Sequence, residues 1–492
     1  MTANQPLLDL PKTPHTIEDL LSTNKRYVPM KLIGEGSYGQ VWLARDTLQE
    51  RDVAIKVFTC AFGQTQGATL KIGQAVATEL SIMRQLQPAR HPNIVQVYDY
   101  IESKQSKDNP EGSAKTSRDL VAIVMEYLPL TLEDLMTSKA HLLKASPQLI
   151  LDLIKELTTA LCFLHSCGVI HRDIKPSNIL LTLTDNKLTS LKLIDFSISK
   201  TLQEPSVDIL NDLFTRGVLD LDSNRLTRNV TTRPYRAPEV ALLTPYSYQV
   251  DMWAVGCILA ELLMGSLSGQ RELLFQAHLC QPLSPIPRHI SEANSEWTTK
   301  EEYLMKYPDL LVLHAKFYGR FDGESVGFLG NVMQREYMGK LCCLPIKYCY
   351  SRKRRLPTLS DFEGCFSPDQ VSLLKSLLQF NPDLRLSARQ CLDTHFPPSS
   401  PTTEIAPIQV DGSYIRTAKT SKEVSAFISM EGKAIQKLYD DHSTTSTRDT
   451  SLDLVGTTES KCDIPRPLGV QGKKKLKRVK NLRTLADVVK LR

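Results

Sequence analysis

The chain of 492 residues reads as an α+β protein of two lobes, a small β-rich lobe carrying one key helix and then a larger helical lobe. Three observations predict this. Short β-branched and aromatic runs crowd the region after Tyr27, at Val41 to Leu43, Val53 to Phe58, Ile94 to Tyr100 and Val121 to Tyr127. One helical segment, about Gln74 to Gln85, interrupts them, with Val76, Leu80 and Met83 at helix spacing. Beyond Leu130 the helical pattern dominates, most clearly at Leu149 to Leu164, Val250 to Leu263 and Val371 to Leu378.

Around these elements the composition marks off other segments. Residues 1–26 are polar and read as an N-terminal arm, without the basic and apolar regions of a secretory leader. Ser103 to Arg118 is almost wholly polar and reads as a surface loop. Residues 264–365 show no clear periodicity and hold charge clusters such as Arg352 to Arg355, as an insertion in the helical lobe would. Residues 397–470 shift to Ser, Thr, Pro and Asp and are expected to be largely disordered, ahead of a basic tail at 471–492. The most apolar stretch, Met252 to Met264, is short for a bilayer span and contains Glu261, so no membrane association is expected.

A hydrophobic share of 41% supports a sizeable core, and a net charge of +6 is too small for this length to argue for nucleic acid. The eleven cysteines include no C-x-x-C pair, which excludes a zinc ribbon or dithiol motif. Reduced thiols of a cytoplasmic or nuclear protein are expected.

The chemistry begins at Gly34-Glu35-Gly36-Ser37-Tyr38-Gly39, followed by Val41. Glycines let a backbone approach phosphate groups where a Cβ would collide. An ordinary hairpin turn reads the same way, but here the glycines join two strands, and Lys56 follows on the next. A dinucleotide-binding fold requires the glycines to open a helix, so that alternative loses. Lys56 sits in the apolar strand Val53-Ala54-Ile55-Lys56. An unpaired ammonium there is costly, and Glu79 in the following helix is the candidate partner.

The strongest signal is His171-Arg172-Asp173-Ile174-Lys175-Pro176-Ser177-Asn178, followed by Ile179 to Leu181. It resembles the catalytic loop of protein kinases, and the resemblance extends over roughly residues 27–396. It implies the bilobal protein kinase fold, with a small lobe of about 27–128 and a large lobe of about 129–396. It also implies Mg2+-dependent transfer of the γ-phosphate of ATP to Ser or Thr of protein substrates. In that family the Asp accepts the hydroxyl proton, the Lys stabilises the γ-phosphate and the Asn holds magnesium; these roles fall on Asp173, Lys175 and Asn178. Asp195, in Asp195-Phe196-Ser197, matches the second magnesium ligand, although Ser197 replaces the usual glycine. Serine lacks the freedom of a left-handed φ, which predicts altered switching of this segment. Val41, Ala54 and Leu180 are expected around the adenine, with Met125 as gatekeeper ahead of the hinge Glu126-Tyr127-Leu128. Ala237-Pro238-Glu239, Asp251-Met252-Trp253-Ala254-Val255-Gly256 and Arg385 match the family's structural motifs.

Arg233 to Glu239 resembles the branch that contains cyclin-dependent and MAP kinases. There Arg236 matches an arginine that shapes a pocket for proline after the phosphorylated residue, while Pro234 replaces the usual tryptophan. Thr227 falls at the activation threonine, with Arg172 and Lys200 as candidates to grip its phosphate, though Asn229 stands where a MAP kinase has tyrosine. Gly73 to Glu79 keeps only the glutamate of the cyclin-binding signature, so a cyclin partner is not expected. Lys473 to Lys480 is a basic patch suited to an import receptor or an acidic partner; it lacks interleaved aromatics, which counts against nucleic acid. The competing readings are a pseudokinase scaffold, which usually lacks one of the key residues retained here, and an adaptor working through the basic tail.

Overall fold

The computed structural model describes residues 17–21, 24–36, 39–58, 67–103, 120–202, 232–277, 280, 309–330, 332–343, 357–398, 405–412 and 420–445. The N-terminal sheet is built from β1 (Tyr27–Gly36), β2 (Gly39–Asp46), β3 (Arg51–Phe58), β4 (Val97–Ser103) and β5 (Leu120–Glu126) in the order β1-β2-β3-β5-β4. All its pairings are antiparallel. Because side chains alternate along a strand, the sheet builds two cores. Ala54 and Phe58 of β3 and Val121, Ile123 and Met125 of β5 join the main core. Their neighbours Val53, Ile55, Val57, Ala122 and Val124 build a second one on the other face.

That second core corrects the reading of residues 1–26 as a mere arm. Helix α1 (Ile17–Leu21) buries Ile17, Leu20 and Leu21 against Tyr27, Val53 and Ile55. Arg26 clasps buried Asp46 with two hydrogen bonds of 2.9 and 2.8 Å, which ties the entry of β1 to the end of β2. The opposite face carries α2 (Gly67–Leu86), longer than the predicted 74–85 segment. The predicted strand at Ile94 begins at Val97, and Ile94 makes only an isolated bridge to Leu193.

After the short β6 (Leu130–Thr131) come α3 (Leu132–Ser138), α4 (Ala140–Ala145) and α5 (Pro147–Ser166). Thr131 and Asp134 cap α3 reciprocally, the hydroxyl accepting the Asp134 amide while the carboxylate accepts the Thr131 amide. The chain then makes β7 (Val169–Ile170), β8 (Ile179–Thr184), β9 (Lys187–Leu193) and β10 (Lys200–Thr201). Strands β7 and β10 pair, which brings the residues just before His171 beside those just after Asp195.

The rest of the lobe contains α6 (Pro238–Ala241), α7 (Gln249–Ser268), α8 (Leu310–Tyr318), α9 (Val332–Cys343), α10 (Leu359–Glu363), α11 (Pro368–Leu377) and α12 (Ala388–His395). Helix α7 runs for 20 residues, longer than its most apolar stretch suggested, and by length and composition alone it would reach across a bilayer. Val250 to Gly265 are all buried inside the lobe, so it serves as the central core helix. The stretch 264–365, read as an insertion without clear periodicity, contains regular helix. It contains the end of α7, and in α8 it buries Leu310 to Ala315 and Phe317. Its pattern was unreadable because α8 is apolar almost all round and so shows little amphipathic contrast.

The segment expected to be disordered holds α13 (Ser421–Thr445), whose Val424, Phe427, Ile428 and Ile435 join the main core. A stretch without regular secondary structure at 405–412 precedes it and bonds Cys167 through Ile408 N and Val410 N. Tertiary burial therefore overrides a polar composition there.

Candidate active site

Alternation along β3 puts Lys56 on the same face as Ala54 and Phe58, toward α2. Its Nζ lies 2.6 and 2.7 Å from the two carboxylate oxygens of Glu79 and 3.4 Å from Asp195 Oδ1. The predicted pair is thus formed, with Glu79 only 1% exposed. Burial acts to lower the Lys56 pKa, but Asp195 and Glu79 outweigh it and hold the ammonium protonated. Burial pushes the Glu79 carboxyl up, against the attraction of Lys56. For Asp195 burial also acts upward, yet Lys56 overcomes it and the pKa falls to about 2. Asp195 is therefore a carboxylate throughout the neutral range.

Asp173 Oδ2 accepts hydrogen bonds from Lys175 Nζ at 2.6 Å and from Asn178 Nδ2 at 3.1 Å. The loop that carries them is clamped from below. Asp251, fully buried in α7, accepts the backbone amides of His171 and Arg172 at 2.9 and 2.8 Å and contacts His165 Nε2 at 3.0 Å. Burial works to raise the Asp251 pKa, but these partners keep it lowered. His171 Nδ1 accepts from the Asp173 amide, which leaves its Nε2 as the donor to the Ile194 carbonyl at 3.0 Å. Sequence reasoning missed His165, whose only signal is its position in the last turn of α5.

Two non-glycine residues here hold left-handed backbone, Arg172 at φ +68° and Asp195 at φ +69°. Such strain persists where surrounding bonds over-determine it. It falls on Asp195 and not on Ser197, so serine in place of glycine is accommodated in this conformation. The Ser197 amide lies 3.4 Å from Asp195 Oδ1.

The residues expected around the nucleotide lie on neighbouring strands. Gly34 pairs with Val41, Val41 with Lys56, and Ala54 with Met125. Leu128 is buried, Leu180 half-buried on β8, and Glu35 exposed on β1. The Glu126 carboxylate is taken by Lys192 at 3.0 Å and by the Gln96 amide at 2.7 Å, so its charge is matched within the protein. A Cβ at Gly36 would meet nothing within 4 Å, whereas one at Gly39 would lie 1.9 Å from the Val57 carbonyl, at φ +149°. Gly39→Ala is accordingly expected to lose about 1–3 kcal/mol in a urea melt. An unchanged midpoint would show that the loop relaxes freely.

Ser37 and Thr227 lie outside the described residues, as do most of the polar loop after Ser103 and the basic tail. Of the proposed phosphate-gripping pair, Arg172 donates from Nε to the Ile198 carbonyl at 2.7 Å and from Nη1 to Tyr246 at 3.0 Å. Lys200 lies on β10, opposite Ile170. Arg236 is 6% exposed, directly ahead of α6.

The protein kinase domain model matches residues 27–397, three quarters of the chain, from β1 to just past α12. The chain is a protein serine/threonine kinase. Mouse cyclin-dependent kinase 4 is 33% identical over 243 residues, covering 48% of this chain and 67% of that protein. Extracellular signal-regulated kinase 2 of Dictyostelium discoideum is 29% identical over 371 residues, 75% of this chain and 78% of the relative. The hog1 mitogen-activated protein kinase of Blastobotrys adeninivorans is 28% identical over 368 residues, 75% and 69%. The kinase is a divergent member of the branch that holds these proteins.

The kinase uses ATP with Mg2+, and the residues present fit both. Asp195 is ionised, and the Asn178 amide nitrogen is engaged by Asp173, so the Asp195 carboxylate and the Asn178 carbonyl oxygen are the atoms that would hold the ion. Two protein oxygens suit a small hard cation that completes its shell with phosphate oxygens and water. Bound there, the ion would neutralise charge on the phosphates. Lys56→Met should therefore lower kcat/KM at least about a thousandfold, because it leaves Glu79 buried and unpaired as well as removing the cation. A steady-state assay on a serine/threonine peptide mixture reads this, and a loss below about tenfold would contradict the role of Lys56.

Proposed function

We propose that Asp173 accepts the proton of the substrate hydroxyl, Lys175 steadies the transferred phosphoryl group, and Asn178 and Asp195 hold the metal. The observation that carries this reading is the convergence of Lys175 and Asn178 on one oxygen of Asp173. Such a carboxylate is oriented and acceptor-only, as a group that positions a hydroxyl must be.

The finer reading is a kinase that favours proline after the phosphorylated Ser or Thr. Its support is buried Arg236 beside the Arg233–Tyr235 turn, although Pro234 stands there in place of the usual tryptophan. Proline alone has no amide N–H to leave unpaired in a tight pocket at that position. The neighbouring acids favour the same reading. Arg271 bonds Glu133 and Tyr235 and lies 3.7 Å from Glu261, so these carboxylates are matched by the chain's own cation rather than left to attract a basic substrate residue. In a positional peptide library, proline at that position should raise kcat/KM about 10–100-fold over alanine, and Arg236→Ala should flatten the preference. Equal rates for the two peptides would remove it.

Phosphorylation of Thr227 is the proposed activating event, with Arg172 and Lys200 as its partners. Thr227→Ala should lower kcat about tenfold or more through loss of charge-assisted bonds that order the loop. Wild-type turnover in that variant would exclude the role. The proposed place of action is the nucleus as well as the cytoplasm, with the basic run at 473–480 as the import signal. Deletion of 472–492 from a fluorescent fusion should shift it out of the nucleus.

A further inference from the structure

The match to the kinase family ends at residue 397, yet the chain beyond it is bound to the elements that hold the active site. The stretch 405–412 touches three of them. Ile408 N donates to Cys167 Sγ at 3.4 Å and Val410 N to the Cys167 carbonyl at 3.3 Å, four residues ahead of His171. Gly412 packs so closely on β10 that an added Cβ would lie 2.0 Å from Thr201 Oγ1, six residues past Asp195. Asp411 and Gln85 exchange two hydrogen bonds, Asp411 N to Gln85 Oε1 at 2.8 Å and Gln85 Nε2 to the Asp411 carbonyl at 3.0 Å. Gln85 belongs to the last turn of α2, the helix that presents Glu79.

Helix α13 then lies along α2 and β4. Val424, Phe427, Ile428, Glu431, Gly432 and Ile435 follow helix spacing and form one buried stripe. Within it, Glu431 is 3% exposed and paired with Arg84 of α2. Gly432 sits against the Tyr100 ring, where a Cβ would come within 2.2 Å of ring carbons. Ser429 donates to Glu102 at 2.9 Å and Gln436 to the Tyr100 carbonyl at 2.6 Å, which fixes the helix on β4. A charge buried in a stripe, with its partner on α2, specifies one register between the two helices.

We infer that the C-terminal extension is the positioning element for α2. It holds Glu79 against Lys56 from within the same chain, so the kinase assembles its catalytic ion pair with no second protein on this face. Arg84 and Glu431 are positioning residues, acting through α2, and 405–412 ties the same helix to the segments around His171 and Asp195. The occupant of the α2–β4 face is therefore part of the enzyme, and conditions that release it would lower turnover.

The test uses the full chain with a degenerate serine/threonine peptide mixture and MgATP. Arg84→Glu and Glu431→Arg should each lower kcat about tenfold and raise the KM for ATP. Amide hydrogen exchange should rise along 72–86, with the melting temperature of the large lobe retained. The double variant, which restores the pair with reversed polarity, should recover kcat to within about twofold of wild type. Gly432→Trp, which puts bulk into the Tyr100 ring, should reproduce the single variants. Wild-type turnover in all three single variants overturns the inference. So does lost turnover that the double variant fails to rescue, or that comes with unchanged exchange in α2.

Discussion

Asp173→Asn is expected to lower kcat by about 10²–10⁴-fold with little change in the KM for ATP or in thermal stability. The amide is nearly the same size, so packing survives. Its chemistry differs in two ways. It cannot accept a proton, and its NH2 would face donors at the positions where Oδ2 now accepts from Lys175 at 2.6 Å and Asn178 at 3.1 Å. To keep its carbonyl toward those donors it must turn the NH2 to the substrate side, where an acceptor is needed. The backbone of the loop is held independently, by Asp251 on the His171 and Arg172 amides, so the defect should appear in turnover. Steady-state kinetics on a peptide mixture, with circular dichroism melts on the same samples, checks both halves. Turnover within about tenfold of wild type would remove Asp173 from the proton transfer.

Arg385→Ala should cost about 3–5 kcal/mol of large-lobe stability. Arg385 and Glu239 are both 0% exposed at their side chains, joined by bonds of 2.7 and 3.1 Å. The guanidinium also donates to the Gln249 and Gln379 carbonyls, and it lies 5.1 Å from the Trp253 ring centroid. One side chain thus joins α6, the start of α7 and the turn after α11. Truncation leaves Glu239 as a buried charge and strands two carbonyls, which is why the loss should exceed that of a surface pair several-fold. Glu239→Gln with Arg385 intact should cost less, because the amide still accepts. Urea unfolding of the three proteins measures the difference; a cost under about 1 kcal/mol for Arg385→Ala would show that water replaces the cation freely.

Much of the site was legible because its parts are short, contiguous runs. His171 to Asn178 and Asp195 to Ser197 carry their chemistry within a few residues, and Lys56 stood out as a cation in an apolar strand. The Lys56–Glu79 pair followed from the cost of burying that cation. Other features were harder to see for physical reasons. Ser197 suggested a change at the glycine position, yet the left-handed backbone belongs to Asp195, and only three-dimensional geometry distinguishes neighbouring residues in that way. Helix α8 hid because it is buried all round, and α1 because five residues hold too little periodicity to register.

By itself the sequence determined the two-lobed plan and the branch of kinases the chain belongs to, and it supplied the order of the residues proposed to handle nucleotide, metal and hydroxyl. Those properties reside in local runs and strand or helix periods. Tertiary structure decided the rest: that Lys56 meets Asp195 across 139 positions, that Asp251 carries the catalytic loop, and that α13 completes the small lobe. The apolar stripe of α13 is too sparse, among Ser, Lys and Glu, to be recognised alone. It becomes a core only because α2 and β4 supply the other half of the surface it buries, and burial is a property of both partners.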